Sequence, residues 1–261
     1  MHTETPGSLP PDQLRMSIKP AVVTVGDELL FGERSNENQT WLLQLLRERA
    51  HPAEVAIVLP DSVFDIGKWL KILLSTGCFP ILVSGGIGGT HDDCTREGIA
   101  AALELALTRH QACYELLAAK YGAQFTSGRQ RMALLPEGCD LIANPIGAPG
   151  FSIKSVYAFP GFPNMLQPMA TQVLDRLLPD PVERRWLVSE YRLPLSEGMI
   201  AWDVESFVKQ HSDVRIGLYP HAQRFPHAVT VRLRCDPRHP EVVAAFEQLM
   251  ADIKRKHGLG E

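Results

Sequence analysis

The stretch of the chain richest in side chains that could do chemistry covers residues 81–98 and reads ILVSGGIGGTHDDCTREG. An apolar run leads into a glycine-rich turn and then a helical pattern, so backbone N–H groups could approach an anionic ligand closely. The spacing matches neither the dinucleotide fingerprint nor the P-loop, but it predicts a phosphate-binding turn of the same kind. The candidate ligand-binding residues are Gly85, Gly86, Gly88, Gly89, Thr90 and His91.

An acidic pair, Asp92 and Asp93, follows this turn directly. Two carboxylates would repel a bare phosphate, whereas a divalent cation could be bound by the carboxylates and the phosphate together. We therefore take Asp92 and Asp93 as candidate metal ligands and Asp93 also as a candidate catalytic residue. Helix capping explains the same residues equally well, because a carboxylate at a helix start accepts hydrogen bonds from free N–H groups. Both interpretations stay open.

Further acidic residues follow two other apolar runs. Glu28 comes shortly after AVVTV (21–25), and Asp61 comes shortly after VAIVL (55–59). Because the carboxyl ends of parallel strands meet at one edge of a sheet, we expect Glu28, Asp61 and Asp93 to lie close together. Glu28 and Asp61 are accordingly candidate catalytic residues.

Two asparagines and two turns rich in proline and glycine complete the set of segments. Asn36 precedes Gln39 by three residues, which also fits an ordinary helix start. The turns NPIGAPGF (144–151) and FPGFPNM (159–165) are of a composition that usually only shapes loops. The remaining candidate ligand-binding residues come from these segments and are Asn36, Asn38, Asn144, Gly147, Pro160 and Gly161.

The elements that must position these residues can be read from the apolar patterns. The runs 21–25, 55–59 and 79–84 do not alternate with polar residues, as in strands buried on both faces of a parallel sheet. Helical patterns separate them, which predicts an α/β fold with three α/β/α layers and a mostly parallel sheet. The alternating runs 214–218 and 229–235 instead indicate antiparallel strands.

The predicted organisation is a flexible tail over residues 1–20, an α/β domain over 21–180 and a small C-terminal β-α-β-β-α (α+β) domain over 182–261. We expect the aromatic residues of the small domain, Trp202, Tyr219 and Phe225, to pack in its core. Lys and Arg number 26 against 30 Asp and Glu, a net charge of −4. This balance, with no long apolar stretch, predicts no nucleic-acid partner and no membrane partner. Five scattered cysteines and no apolar leader predict a cytoplasmic location.

The four segments together resemble the molybdopterin-binding (MoCF) domain, and specifically the N-terminal domain of the competence/damage-inducible protein A (CinA) family. The family's motifs look like G-x-E-L-L-x-G, GGIGPTHDDxT, N-P-x-G-x-A-P-G-F and P-G-x-P-x-x-M. This chain departs from them at Gly89, where proline is usual, and is one residue shorter after Gly147. The resemblance covers about residues 20–180, and the segment beyond resembles the small domain that follows in this family.

The resemblance implies the three-layer fold, a nucleotide or pterin diphosphate as ligand, molybdopterin among them, and a homodimer. Some members look like pyrophosphatases that act on ADP-ribose with Mg²⁺ or Co²⁺ and are stimulated by K⁺, and a related domain resembles an FAD hydrolase. We therefore expect a metal-dependent nucleotide pyrophosphatase. A non-catalytic molybdopterin-binding module and adenylyl transfer to molybdopterin are the alternatives. Full-length members also carry a C-terminal deamidase domain, which this sequence does not reach, so that activity is not expected here.

Overall fold

The computed structural model describes residues 18–178, 187–211, 214–221, 228–236 and 239–259. They divide into two units, one ending at Asp180 and one beginning at Pro181. Most of the predicted tail, residues 1–17, lies outside the described residues. Its last residues are ordered, since Lys19 pairs with Phe79 and the Pro20 carbonyl accepts the N–H of Glu54 at 2.8 Å.

The first unit contains eight strands in its described part: β1 (Ala21–Val25), β2 (Val55–Leu59), β3 (Ile81–Ser84), β4 (Leu107–Arg109), β5 (Leu134–Pro136), β6 (Asp140–Ile142), β7 (Gly150–Ile153) and β8 (Val156–Phe159). Six of them form one sheet in the order β2-β1-β3-β8-β7-β6. The first four strands of this order are parallel, and β7 and β6 join antiparallel. Strands β4 and β5 make a separate antiparallel pair.

Helices cover both faces of the six-stranded sheet. They are α1 (Asp27–Leu30), α2 (Glu37–Glu48), α3 (Val63–Ser75), α4 (Thr95–Leu103), α5 (Gln111–Tyr121), α6 (Ser127–Arg131) and α7 (Pro163–Leu177). Successive residues of β1 pack on opposite sides: Val23 lies with the buried residues of α3 and α4, and Val22 with those of α2 and α7. The predicted three-layer α/β/α fold with a mostly parallel sheet is confirmed.

One strand is less buried than its apolar run predicts. All five residues of β1 are buried, whereas β2 is buried only at Leu59. Strand β2 lies at the edge of the sheet, next to β1 alone. The apolar run without alternation therefore predicted a strand correctly. It wrongly predicted burial on both faces, because that burial depends on the order of the strands in the sheet.

The second unit contains β9 (Leu187–Leu193), α8 (Glu197–Gln210), β10 (Arg215–His221), β11 (Ala228–Cys235) and α9 (Pro240–Lys256). The three strands form an antiparallel sheet in the order β10-β11-β9. Its core gathers one face of that sheet and the inner faces of both helices, including Ile200, Val204, Phe246 and Met250. None of the helices in the described ranges combines the length and the apolarity needed to cross a bilayer.

The expectation that three aromatic residues pack in this core is wrong for two of them. Trp202 is 73% exposed, because it lies half a helical turn from the buried Ile200 and Val204 of α8. Tyr219 is 41% exposed, since it lies on the face of β10 that points away from the helices. Phe225 lies outside the described residues.

The crossing of α3 and α4 yields a test of the fold. A Cβ atom at Gly98 would lie 2.5 Å from Cγ2 of Ile66, whereas one at Gly67 would meet its nearest neighbour at 3.5 Å. Gly98→Ala should lower the free energy of unfolding by about 1–3 kcal/mol, because the packed helices must separate. Gly67→Ala, the matched control, should be neutral or raise it by about 0.5–1 kcal/mol through helix propensity. Urea unfolding measures both, and equal losses would contradict the assigned crossing.

Candidate functional site

The order of the strands creates a ligand-binding position at the carboxyl end of the sheet. Strand β1 is flanked by β2 on one side and β3 on the other, so the chain connections diverge from this point. Open parallel sheets bind ligands in the crevice outside such a switch point. A cavity of about 730 Å³ lies there, lined by the loops that follow β1, β3 and β8. This volume is within the range typical of small-molecule sites.

The cavity brings together most of the residues predicted from the sequence: Glu28, Asn36, Asn38, Asp61, Gly85, Gly86, Gly88, Gly89, Thr90, Asp92, Asp93, Pro160 and Gly161. His91, Asn144 and Gly147 are not among the residues that line it. The side chain of His91 is 96% exposed. Asn144 braces its own loop, donating to the Ala148 carbonyl at 2.7 Å and accepting the N–H of Ile146 at 3.1 Å.

The glycine-rich turn is shaped by close backbone packing. Gly85 and Gly86 have positive φ values of 97° and 66°. A Cβ atom at Gly85 would lie 2.3 Å from the Val25 carbonyl oxygen, and one at Gly86 would lie 2.3 Å from Oγ1 of Thr95. Thr95 in turn donates its hydroxyl to the Gly85 carbonyl at 2.8 Å. Both glycines are therefore required by the junction of β1, β3 and α4, independently of any ligand.

Gly89, where the family pattern has proline, lies against a second glycine. A Cβ atom at Gly89 would lie 2.4 Å from the carbonyl oxygen of Gly128 at the start of α6. The missing side chain thus allows the turn to contact α6 directly, backbone to backbone.

Asp93 braces the turn from within. Its Oδ1 accepts the N–H of Gly88 at 2.9 Å, and its Oδ2 accepts the N–H of Thr90 at 2.8 Å together with the Thr90 hydroxyl. The helix-capping interpretation of Asp93 is wrong, because the N–H groups that it accepts belong to the turn and the N-cap position of α4 is Cys94. Each carboxylate oxygen has a second lone pair, so this bracing does not use up its capacity as an acceptor.

The buried side chain of Arg96 also binds this turn. The sequence analysis missed this residue. Its side chain is 1% exposed. One Nη donates to the carbonyls of Ile87 (2.9 Å) and Gly88, and the other donates to that of Asp93 at 3.4 Å. Burial lowers the pKa of Arg96, and the negative charges of Glu97 and Asp93 oppose that shift. A basic residue near the start of a helix rich in small apolar residues was the sequence signal for a buried cation.

The turns after β1 and β2 are joined through two aspartates. Asp27 donates its N–H to Oδ2 of Asp61 at 3.0 Å, and Asp61 donates its N–H to Oδ1 of Asp27 at 3.3 Å. Burial raises the pKa of Asp61, the hydrogen bond from Asp27 lowers it, and the negative charges of Asp27, Glu28 and Asp92 raise it further. Negative charge therefore accumulates at this edge of the cavity.

The remaining lining divides into one basic residue and an apolar part. Among the described residues that line the cavity, Arg34 is the one cation. Tyr121, Met132, Phe162 and Met165 supply aromatic and thioether surface. These residues come from three separated segments, and their apolar types carried no signal that distinguished them from core residues.

The acidic residues of the cavity fit a cation only if a bound phosphate supplies some of its ligands. No three His, Cys, Asp or Glu side chains in the described part of the chain lie close enough to hold a metal ion by themselves. Mg²⁺ is commonly bound by one or two carboxylates together with substrate phosphates. The predicted metal ligands, Asp92 and Asp93, both line the cavity. These residues fit a cation that shares its ligands with a phosphate.

Comparison with known proteins identifies the first unit. Residues 21–180 match the family described as "Probable molybdopterin binding domain". The chain belongs to this family. The second unit lies outside the matched residues, so the molybdopterin-binding domain is followed in this chain by a small α+β unit.

The similar proteins place this molybdopterin-binding domain among the CinA-like proteins. A crystal structure of the protein CinA from Thermoplasma acidophilum is 28% identical, covers 62% of this chain and 98% of that one, and superposes with a TM-score of 0.58. A CinA-like protein from Sulfurihydrogenibium is 29% identical over 61% of this chain and 42% of its own length. A relative from Archaeoglobus fulgidus is 28% identical over 88% of this chain and 97% of its own. The predicted CinA-like family is confirmed.

The raised pKa of Asp61 predicts how the stability of the protein depends on pH. The folded state holds this proton more tightly than the unfolded state, so the stability contributed by the proton is present below the ordinary pKa of 3.8 and is lost as pH rises above it. Asp61→Asn should therefore raise the thermal midpoint at pH 7, and the difference should vanish below pH 3.8.

Asp65→Asn is the matched control, because Asp65 lies in the first turn of α3, where a carboxylate is favourable. It should lower the midpoint at pH 7. Equal effects of the two substitutions at pH 7 would contradict the accumulation of negative charge around Asp61.

Proposed function

We propose that the cavity binds a nucleotide or pterin that carries a diphosphate and hydrolyses that diphosphate with a divalent metal ion. The observation that carries this proposal is a convergence at one sheet edge. A glycine-rich turn braced by Asp93 and Arg96 lies beside Asp61 and Asp92, and all but the buried Arg96 line the same cavity.

The turn and the helix behind it support phosphate binding. The nine-residue α4 begins at Thr95, directly after the turn, and its dipole places partial positive charge behind the turn. The N–H of Thr95 itself is taken by the Gly86 carbonyl at 2.9 Å. Arg34 adds a full positive charge to the lining. A phosphate at this position would be balanced by the dipole, by Arg34 and by the metal ion.

The apolar part of the lining supports a ligand with a planar ring. Tyr121 and Phe162 are aromatic, and Met132 and Met165 are polarizable neighbours that adapt to flat surfaces. A cavity of about 730 Å³ is large enough for a ring joined to a diphosphate.

The proposed reaction needs a proton acceptor and charge neutralisation. A bound Mg²⁺ or Co²⁺, held by Asp92, Asp93 and the substrate phosphates, would neutralise phosphate charge and favour ionisation of water. In the reaction, the water oxygen forms a bond to one phosphorus while the bond from that phosphorus to the bridging oxygen breaks. The bridging oxygen leaves with the other phosphate. The proton passes to a carboxylate, and Asp61 is suited to accept it because its pKa is raised, with Glu28 beside it.

A non-catalytic molybdopterin-binding module is the second candidate. The bracing role of Asp93 favours it, because that role needs no metal. Adenylyl transfer to molybdopterin would need ATP and a pterin in one cavity.

A turnover assay separates these functions. Wild type, Asp61→Asn and the control Asp65→Asn are each incubated with ADP-ribose, FAD or NAD, with and without Mg²⁺ or Co²⁺ plus K⁺. We expect metal-dependent release of AMP by wild type and Asp65→Asn, and a loss of about 10²–10⁴-fold in Asp61→Asn, the usual range for removing a proton acceptor. Products are read by mass spectrometry.

The absence of turnover with every substrate and metal would overturn the hydrolytic proposal. A pterin retained on the purified protein, detected by native mass spectrometry, would then support the binding module. Equal activity of wild type and Asp61→Asn would overturn the role of Asp61 alone.

A further inference from the structure

The sheet of the second unit has one covered face and one open face. Residues of β11 alternate strictly, and Val229, Val231, Leu233 and Cys235 are buried toward α8 and α9. The residues between them lie on the open face, which carries Arg232 and Arg234 of β11, Arg215 of β10 and Arg192 of β9. We call these four residues the arginine face.

Two of the four guanidinium groups are held in fixed positions. Arg232 forms an ion pair with Glu190 and lies over the ring of Tyr219 at 5.0 Å. Both terminal nitrogens of Arg234 lie within hydrogen-bond reach of the Tyr219 hydroxyl, at 3.4 and 3.5 Å. The Tyr219 ring itself packs over Gly217, where a Cβ atom would lie 2.7 Å from it. The cluster is therefore ordered before any partner binds.

Three of the four arginines have no carboxylate among the described residues that balances their charge. Within the described ranges, Arg192, Arg215 and Arg234 form no ion pair, and Glu190 is the one carboxylate among the strand residues of the open face. The net charge of −4 for the whole chain does not reveal this local excess of positive charge. Residues 1–180 hold 14 Lys and Arg against 19 Asp and Glu, whereas residues 181–261 hold 12 against 11.

The register of the sheet sets the spacing of the charges. Arg215 pairs with Arg234 in one row, Arg232 lies in the next, and Arg192 lies with Tyr219 and Thr230 in a third. Rows on one face are two residues, about 7 Å, apart, and the outer strands are about 10 Å apart. The four cations thus span more than a single phosphate would occupy, which favours an extended polyanion.

We propose that the arginine face binds single-stranded nucleic acid. Guanidinium groups held in place match phosphate oxygens in pairs, and the stacked pair of Arg232 and Tyr219 offers a base a planar surface on which to stack. An extended nucleic-acid strand carries a phosphate on every nucleotide. Its phosphates can therefore contact the rows of arginines wherever along the strand binding begins. This conclusion departs from the absence of a nucleic-acid partner expected from the whole-chain charge, because that charge is unevenly distributed.

The test uses the full chain and fluorescein-labelled oligo-dT and oligo-rU of 15 nucleotides, followed by fluorescence anisotropy at 50 and 200 mM salt. The test variant combines Arg192→Gln, Arg215→Gln and Arg234→Gln. The control combines Lys209→Gln, Arg255→Gln and Lys256→Gln on α8 and α9, which pack against the covered face. Both variants remove three positive charges, and circular dichroism confirms that each is folded.

Four phosphate contacts predict that wild-type affinity falls with a log–log salt slope of about −3, from about −0.7 per contact on single strands. The arginine-face variant should bind at least 10-fold more weakly with a slope nearer −1, while the control stays within 3-fold of wild type. The absence of salt-dependent binding by wild type, or an equal loss in the control, would overturn the proposal. Tighter binding of labelled poly-glutamate than of either oligonucleotide would assign the face to acidic proteins and overturn it as well.

Discussion

The cavity depends on a buried positive charge directly behind it. The guanidinium of Arg96 gathers three carbonyls of the glycine-rich turn, and without it those oxygens would lie buried with no donor. Because a trans peptide is planar, a carbonyl directed at Arg96 turns the following N–H away from it, as at Gly88 and Gly89. The N–H of Gly88 is taken by Asp93. One side chain thus fixes which side of the turn is acceptor and which is donor.

The acidic residues act at different distances from that turn. Asp93 is part of the turn's own hydrogen-bond network, whereas Asp27 and Asp61 connect the loops of two neighbouring strands. These carboxylates repel one another, and a protein that needed only a stable fold would gain by replacing one of them. Retaining such charge next to a glycine-rich turn is typical of sites where a bound cation or proton compensates it.

The periodicity of apolar residues was sufficient to predict the layers, because burial on two faces leaves a direct trace in composition. It placed Glu28, Asp61 and Asp93 at one sheet edge, and all three line the cavity. Strand order leaves no such trace, so the edge position of β2 was missed. Tyr121 in the cavity wall was missed for the same reason, because it meets segments distant in the sequence. Arg96 was missed although it lies within nine residues of the carbonyls that it binds, because arginines are seldom fully buried. Trp202 and Tyr219 were misplaced because aromatic type alone does not say which face of an element a residue occupies.

The contact between Gly89 and Gly128 couples two positions that are 39 residues apart in the sequence. A side chain at Gly89 would displace the backbone of α6, whereas a Cβ atom at Gly128 would lie 3.3 Å from the Gly89 carbonyl oxygen and needs only a small adjustment. The effect of a substitution at Gly89 therefore depends on the position of α6. Introduction of the proline of the common family pattern at position 89 therefore requires a different position of α6, so this one contact makes the identity of a residue in the turn a constraint on a separate helix.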